Sequence, residues 1–563
     1  MGQELGASVV LLRRLSQIQI DHASMSYELV WFKRDLRWQD HAALAHASKL
    51  GPVRCIYVVE PELWLQPDAA LQHFEFVRES LQALDAELRL QGGCVEVHAG
   101  ELPDVLSRIW NEAPFRQMHA HQETGNGFTY ARDLRVGAWC QAHKVGWHEY
   151  PQFGVVRGLK NRNLWQPAWE RHMAEPLQDV GKLQFWRPFV NAPTTTSPHA
   201  MPHASRHTWC TPSQMQAPSY LQHNPPLRQR GGRTLAQETL HSFLHARSLG
   251  YRGGISSPLS APDACSRLSA YLAWGCISMR EVVQHTRAHI AQLPQQASRH
   301  RAGLTGFISR LYWHCHFIQK FESEPAIEWR NMHRGYDGLR EHDFNEAHFE
   351  ALKAARTGWP MVDACVTMLR ETGWLNFRMR AMLVSVAAYP LWLHWRPVGE
   401  WLATQFLDYE PGIHWSQLQM QSGTTGINTT RVYNPIKQAQ DHDPHGRFVR
   451  QWLPAMRQVP DTWLFEPWLM PDTMQTHLGV FVGGDINSDT PSALVQPVVD
   501  LAQATREAKQ RLHSRRQTDE VKVAKKAVVD KHASRKNWGT RSATSRRSAA
   551  STQTDKQQLG FDF

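Results

Sequence analysis

No run of eighteen or so apolar residues occurs anywhere in this 563-residue chain, so no membrane-spanning helix is expected. The first 24 residues contain SVVLLRRLSQIQI. They lack the charged start, apolar block and small-residue cleavage site of a secretory signal, and residues 1–26 read as an N-terminal extension. No CxxC is present, and the closest two of the eight cysteines lie 11 residues apart. Zinc and iron–sulfur sites are therefore not expected, nor any other metal. Scattered cysteines without a signal point to thiols packed as small apolar groups in a reducing compartment, and the expected location is the cytoplasm. No GxGxxG follows the first apolar run, which excludes the usual dinucleotide fingerprint. No internal repeat is seen.

What is present is tryptophan, 23 of them, and an uneven charge. Residues 501–563 carry 15 Lys and Arg against 6 Asp and Glu, while the other 500 residues hold 47 against 46. The net charge of +10 thus belongs to the end of the chain. Short apolar runs at 29–32 and 53–60 alternate with helical patterns up to about residue 150, which predicts a parallel sheet covered by helices. Residues 156–234 are rich in Pro, His, Thr, Ser and Gln and read as an inter-domain connection. From 235 the patterns are almost wholly helical, and 491–563 read as a basic, disordered tail.

The stretch GWPMVDACVTMLRETGWLNFRMRAMLVSV, residues 358–386, sets a question. Val362, Cys365, Val366 and Leu369, then Met379, Met382, Leu383 and Val386, keep helical spacing. Yet Asn376 and Arg380 share one face of this apolar helix. Arg380 is placed to pair with Asp408 of FLDYEPGIHW, as a structural salt bridge or as part of a site. In DACSRLSAYLAWGCIS, Ser266 and Ser269 mark a helix start, suited to a phosphate or to plain capping.

Together these segments resemble the photolyase/cryptochrome family. VWFKRDLR, SRLSAYLAWGCIS, TGWPMVDACV, TGWLNFRMR, NPIKQAQDHDPHGRFVRQWLP and EPW occur in the family's order between about Tyr27 and Asp472. The resemblance, to a bacterial form without an iron–sulfur cluster, implies an α/β Rossmann-like antenna domain over 27–155. It also implies an all-α FAD-binding domain over 235–490. Tyr251 and Cys265, Ser266, Arg267, Leu268 and Ser269 fall on the phosphate-binding part. Asn376, Arg380, Asp408, Tyr409 and Glu410 fall beside the ribose and ring. His414 falls where the family faces flavin N5, and it is read as a proton donor titrating near neutrality, the alternative being a turn residue. Trp395 matches the middle member of the family's electron-transfer tryptophans. A second antenna chromophore, of folate or flavin type, is implied without being identified; Glu123 falls in a chromophore-contact region.

The lesion pocket departs from the family. Trp313 is kept, but Arg310 stands where a Glu is usual and Phe377 where an Asn is usual. A guanidinium donates where a carboxylate accepts, so the ordinary contacts to a thymine edge are in doubt. The implied function is blue-light-driven DNA photolyase, acting on DNA with UV lesions as a monomer. The alternatives are a cryptochrome-like photoreceptor without repair activity and a flavin-binding module without photochemistry. The final QQLGFDF resembles a bacterial sliding-clamp peptide, set against an unrelated apolar end.

Overall fold

The computed structural model describes residues 26–186, 209–427, 431–483 and 493–532. The first part is a five-stranded parallel sheet, β1 Glu28–Phe32, β2 Val53–Val59, β3 Val95–Ala99, β4 Gln117–His121 and β5 Gly146–Tyr150. Its strand order is β3-β2-β1-β4-β5. Parallel strands need crossovers, which the longer helices supply: α1 Ala42–Leu50, α2 Leu71–Arg89, α3 Leu102–Glu112 and α4 Gly127–Ala142. Alternate side chains feed two cores. Val30, Phe32, Cys55, Tyr57 and Val97 pack towards α1 and α2, whereas Leu29, Trp31, Ile56 and Val58 pack towards α3 and α4. Burial on both faces is why β1 and β2 read as near-continuous apolar runs rather than alternating ones.

The loop after β1 ties this sheet to the helical half. Asp35 gathers His41 Nε2 at 2.9 Å, His121 Nδ1 at 2.7 Å and the Lys33 amide at 2.6 Å. His41 Nδ1 accepts the Leu44 amide, so its Nε2 carries the proton and donates to Asp35. The trio is a hydrogen-bonded knot with no lone pair on His41 for a metal. Beyond it, Arg34 Nε donates to Ala273 O, Arg37 Nη1 to Gly275 O, and the Leu36 amide to Trp274 O. Gly275 has φ +71°, and a Cβ there would meet the Arg34 carbonyl oxygen at 2.2 Å. Only glycine allows this approach.

The connection is more structured than its composition predicts. It contains α5, Trp165–Ala174, whose Trp165, Trp169 and Met173 are buried. Arg228 reaches Glu79 of α2 with both Nη atoms, at 3.0 and 2.8 Å.

The helical half follows, with α6 Arg233–His245, α7 Met279–Gln292, α8 Ser298–Ser323, α9 Pro360–Thr372, α10 Phe377–Ala388, α11 Trp395–Gln405 and α12 Pro411–Ser422 as longer members. The predicted stripes are its core: Val362, Cys365, Val366 and Leu369 of α9 pack with Met379, Met382, Leu383 and Val386 of α10.

The tail departs from the disorder expected of it. Residues 501–532 form α13, Leu501–Arg516, and α14, Asp519–His532. Asp500 caps α13 by accepting the Gln503 amide. Ala508, Leu512 and Val521 are buried against Tyr336 and Tyr389. Three apolar positions in a polar sequence are too sparse to show as a stripe, and the partner surface lies over a hundred residues away. The clamp-like QQLGFDF and residues 1–25 of the N-terminal extension lie outside the described residues. Among the described residues, no helix is long and apolar enough to cross a membrane.

Candidate functional site

A cavity of about 330 Å³ opens inside the helical half. Its walls are α8, the loop 265–269, the start of α10, and the segment 408–410 leading into α12. From the predicted cofactor set, Tyr251, Cys265, Ser266, Arg267, Ser269, Asn376, Arg380, Asp408, Tyr409, Glu410 and His414 line it. From the predicted lesion set, Arg310, Trp313 and Phe377 line it too. Leu268 does not; it is packed into the core at 1% exposure. Trp395 does not either.

Arg380 and Asp408 form a two-pronged pair, Nη1 to Oδ1 and Nη2 to Oδ2, both 2.9 Å. Burial would raise the Asp408 pKa, but the Arg380 charge and its hydrogen bonds, helped by Ser269 and Arg267, hold it below the ordinary carboxylate value. Arg380 is fixed further by donating from Nε to Leu375 O at 2.6 Å.

The loop 265–269 carries Arg267 at φ +61°. That turn lays its guanidinium 3.8 Å from the Trp374 ring centroid. Burial brings the Arg267 pKa down to about 10, against the pull of Asp408. Arg247 holds the loop from outside by donating to the Cys265 and Ser266 carbonyls. The Cys265 thiol is pushed up to about 11 by burial and stays protonated. Asn376 donates to Ile255 O and Ser256 O, while its Oδ1 is buried without a partner.

His414 corrects the reading of a neutral-range proton donor. Its Nε2 donates to Gly399 O at 2.8 Å, and burial lowers its pKa to about 4. The ring is therefore neutral at neutral pH, with a lone pair on Nδ1. Glu410 is shifted the other way: burial raises its carboxyl to about 7 although Arg34 stands 3.6 Å away. Trp395 is buried, donates Nε1 to Asn331 Oδ1 at 2.8 Å, and meets Trp415 edge-on at 6.0 Å between centroids. Trp415 in turn meets His414 at 5.0 Å. Trp415 thus bridges Trp395 to the cavity wall.

A second cavity of about 80 Å³ lies between the sheet and the helical half, lined by Arg34, Glu60, Glu123, Arg132, Trp274 and Tyr409 among others. Glu123 is held there by Arg132 Nη2 at 2.6 Å.

Two family models match the chain: DNA photolyase over residues 28–156, and the FAD binding domain of DNA photolyase over residues 307–514. The chain belongs to the photolyase/cryptochrome family. Among relatives of this family, a cryptochrome DASH of Gloeobacter violaceus is 26% identical over 498 residues, covering 84% of this chain and 93% of the relative. A deoxyribodipyrimidine photo-lyase of Salmonella typhimurium is 26% identical over 477 residues, covering 79% and 92%. The fold is shared with a Synechocystis cryptochrome, at TM-score 0.70 and 21% identity over 86% of this chain and 99% of that one. It is shared also with a Sulfolobus tokodaii photolyase solved with two FAD molecules, at TM-score 0.64 and 22% identity over 86% and 99%.

The helical half is the photolyase/cryptochrome FAD-binding domain, and the cavity's chemistry fits that cofactor. Arg267 offers a cation for an anionic phosphate and Arg380 one for ring carbonyls, Asn376 Oδ1 is a buried acceptor, and Leu272, Phe307, Val384 and Phe406 give apolar walls.

Three polar lining residues escaped the sequence reading. His314 is buried on the wall, and burial lowers its pKa to about 4. Gln417 and Gln421 stand three and seven residues beyond His414 on α12 and line the same cavity. Their helical spacing is the signal that could have found them.

Proposed function

We propose that this chain is a blue-light-driven DNA photolyase that reverses UV pyrimidine photoproducts. One arrangement supports the reading most: the Arg380–Asp408 fork and the Arg310–Trp313 wall face a single cavity. A cofactor grip and an aromatic, cationic receptor for a base thus share one space. Relatives named deoxyribodipyrimidine photo-lyase support the same reading. When bound, reduced FAD supplies the light-driven electron.

The chain's own residues bind and orient. Tyr251 and the 265–269 loop hold the phosphates. Asn376 accepts from the cofactor through Oδ1, and Arg380, fixed by Asp408, sets a positive charge against the ring carbonyls. His414 accepts a hydrogen bond rather than donating a proton, because its only N–H is committed to Gly399. Trp313 offers a face for a flipped base to stack on, and Arg310 donates to its carbonyl edge or to a phosphate. Arg310 is steadied by the buried Tyr251 hydroxyl, whose ionisation burial disfavours. Trp395 and Trp415 carry electrons inward.

Arg310 in place of a carboxylate supports a second reading, a cryptochrome-like photoreceptor, to which the cryptochrome DASH relative also points. One assay separates them. The reduced protein is illuminated with DNA carrying either cyclobutane dimers or (6-4) products, and lesion loss is followed. Restoration of either product supports the photolyase. Absence of restoration, with a light-dependent spectral change, supports the photoreceptor.

A further inference from the structure

Beside the cavity wall, α8 carries basic groups that no acidic group answers among the described residues. Lys320 is 9% exposed, and its Nζ stands 5.2 Å from the Phe317 ring centroid, with no ion pair to a described carboxylate. Burial, reinforced by the Arg162 charge, lowers its pKa to about 7. His316, one turn earlier, is 1% exposed. Its Nδ1 accepts a bond from Arg162 Nη2, so its proton sits on Nε2, which is buried without a partner. Arg162 Nη1 is buried without a partner as well. Glu324, at the end of the same helical segment, is already taken by His532 at 2.7 Å, Lys531 at 2.8 Å and Arg334 at 3.2 Å.

Two buried donors, Arg162 Nη1 and His316 Nε2, thus lie together without an acceptor, with the Lys320 amine beside them. Each buried donor left unmade costs about 1–3 kcal/mol, and more when charged. Native folds rarely leave several such groups in one place unless something else satisfies them. An acceptor with several lone pairs and negative charge suits these donors and the neighbouring cation, as tetrahedral oxyanions do.

We propose that Arg162, His316 and Lys320 form a binding site for a phosphate-like oxyanion, free in solution or carried by a nucleic-acid strand. The site sits at the seam of the α5 segment, α8 and the end of α14. His316 packs edge-on against Trp313, 4.8 Å between centroids, and Trp313 lines the main cavity. The site therefore adjoins the cavity without being part of it, and does not depend on the function proposed above.

The test uses the full-length, FAD-loaded protein melted in chloride and in inorganic phosphate at matched ionic strength. The wild type is expected to show a saturable rise in Tm of about 2 °C or more in phosphate. Lys320→Met, which removes a buried charge but keeps the volume, should lose that rise and melt in chloride at or above the wild type. Should Lys320→Met fail to fold, Arg162→Gln reads the same loss. A second arm measures binding of an undamaged oligonucleotide against salt. If the oxyanion belongs to a strand, Lys320→Met weakens this binding and lowers the log–log salt slope by about 1. If it is free phosphate, oligonucleotide binding is unchanged while the phosphate response is lost. A phosphate response equal in wild type and variant, or none together with unchanged oligonucleotide binding, overturns the proposal.

Discussion

Arg380 meets Asp408 through two parallel hydrogen bonds, each 2.9 Å, at the wall of the main cavity. Removing the guanidinium leaves a buried carboxylate without its charge partner. Arg380→Ala is expected to cost about 3 kcal/mol, the lower end for a broken buried pair because Arg380 is partly exposed. It should also lower the FAD content of the purified protein. Chemical denaturation and the flavin absorbance per chain measure the two effects. Arg380→Lys keeps the charge but loses the fork, so it should fall between wild type and alanine.

His414 supplies a pH signature. Its folded pKa of about 4 lies below the ordinary histidine value, so between about pH 4 and 6.5 the unfolded chain takes up a proton that the folded chain refuses. Stability from this group is complete above pH 6.5 and declines as pH falls through that window. His414→Asn should flatten the slope by up to one proton, about 1.4 kcal/mol per pH unit. Urea denaturation across pH 4–8 measures it. No inflection of the flavin spectrum near neutral pH should change with this substitution.

Glu410 runs the opposite way. Burial raises its pKa to about 7 against the pull of Arg34, so the folded chain holds a proton that the unfolded chain has released. Its stabilising effect is present at low pH and is lost as pH rises from about 4.5 to 7. Glu410→Gln should remove that loss, making the variant relatively more stable at pH 8 than at pH 5. Denaturation midpoints at those two values decide it.

Much of the site was legible in sequence, because its cofactor-facing residues cluster in short segments with helical spacing. Arg380 and Asp408 were readable as a pair from α10 and the turn before α12. The protonation of His414 was not, because it depends on the Gly399 carbonyl and on burial by several elements. Arg34 was unreadable for a similar reason: it donates to Tyr409 O at 2.5 Å across 375 residues of chain. β1 and β2 announced themselves as apolar runs, whereas β5, GWHEY at the sheet edge, carried no such signal. The tail helices stayed hidden because Ala508, Leu512 and Val521 are too few to mark a face.

Those helices change what truncation should do. Leu512 is 2% exposed against Tyr389, so Leu512→Ala is expected to cost about 2–4 kcal/mol. Deleting residues 501–563 should expose that contact and lower the melting temperature. Deleting 533–563 should leave the melting temperature unchanged while reducing salt-sensitive DNA affinity. Calorimetry and DNA titration at two ionic strengths test both.

Arg310→Ala should weaken binding to damaged DNA and leave the flavin spectrum nearly unchanged. Loss of FAD instead would place Arg310 with the cofactor, beside Tyr251. Trp415→Phe and Trp395→Phe should each slow light-driven flavin reduction in the presence of an external reductant. Trp415→Phe should slow it more, since Trp415 lies between Trp395 and His414.

The seam around Gly275 bears on synthesis. All five strands of the sheet are synthesised by residue 150, yet Arg37 and Asp40 receive Gly275, Ser278 and Arg280 only about 240 residues after they are made. Until then Arg37 and Asp40 have each other but lack these later partners at the lip the sheet will close. Translation pauses between residues 150 and 280 would therefore prolong the interval in which the growing chain most needs a holding chaperone.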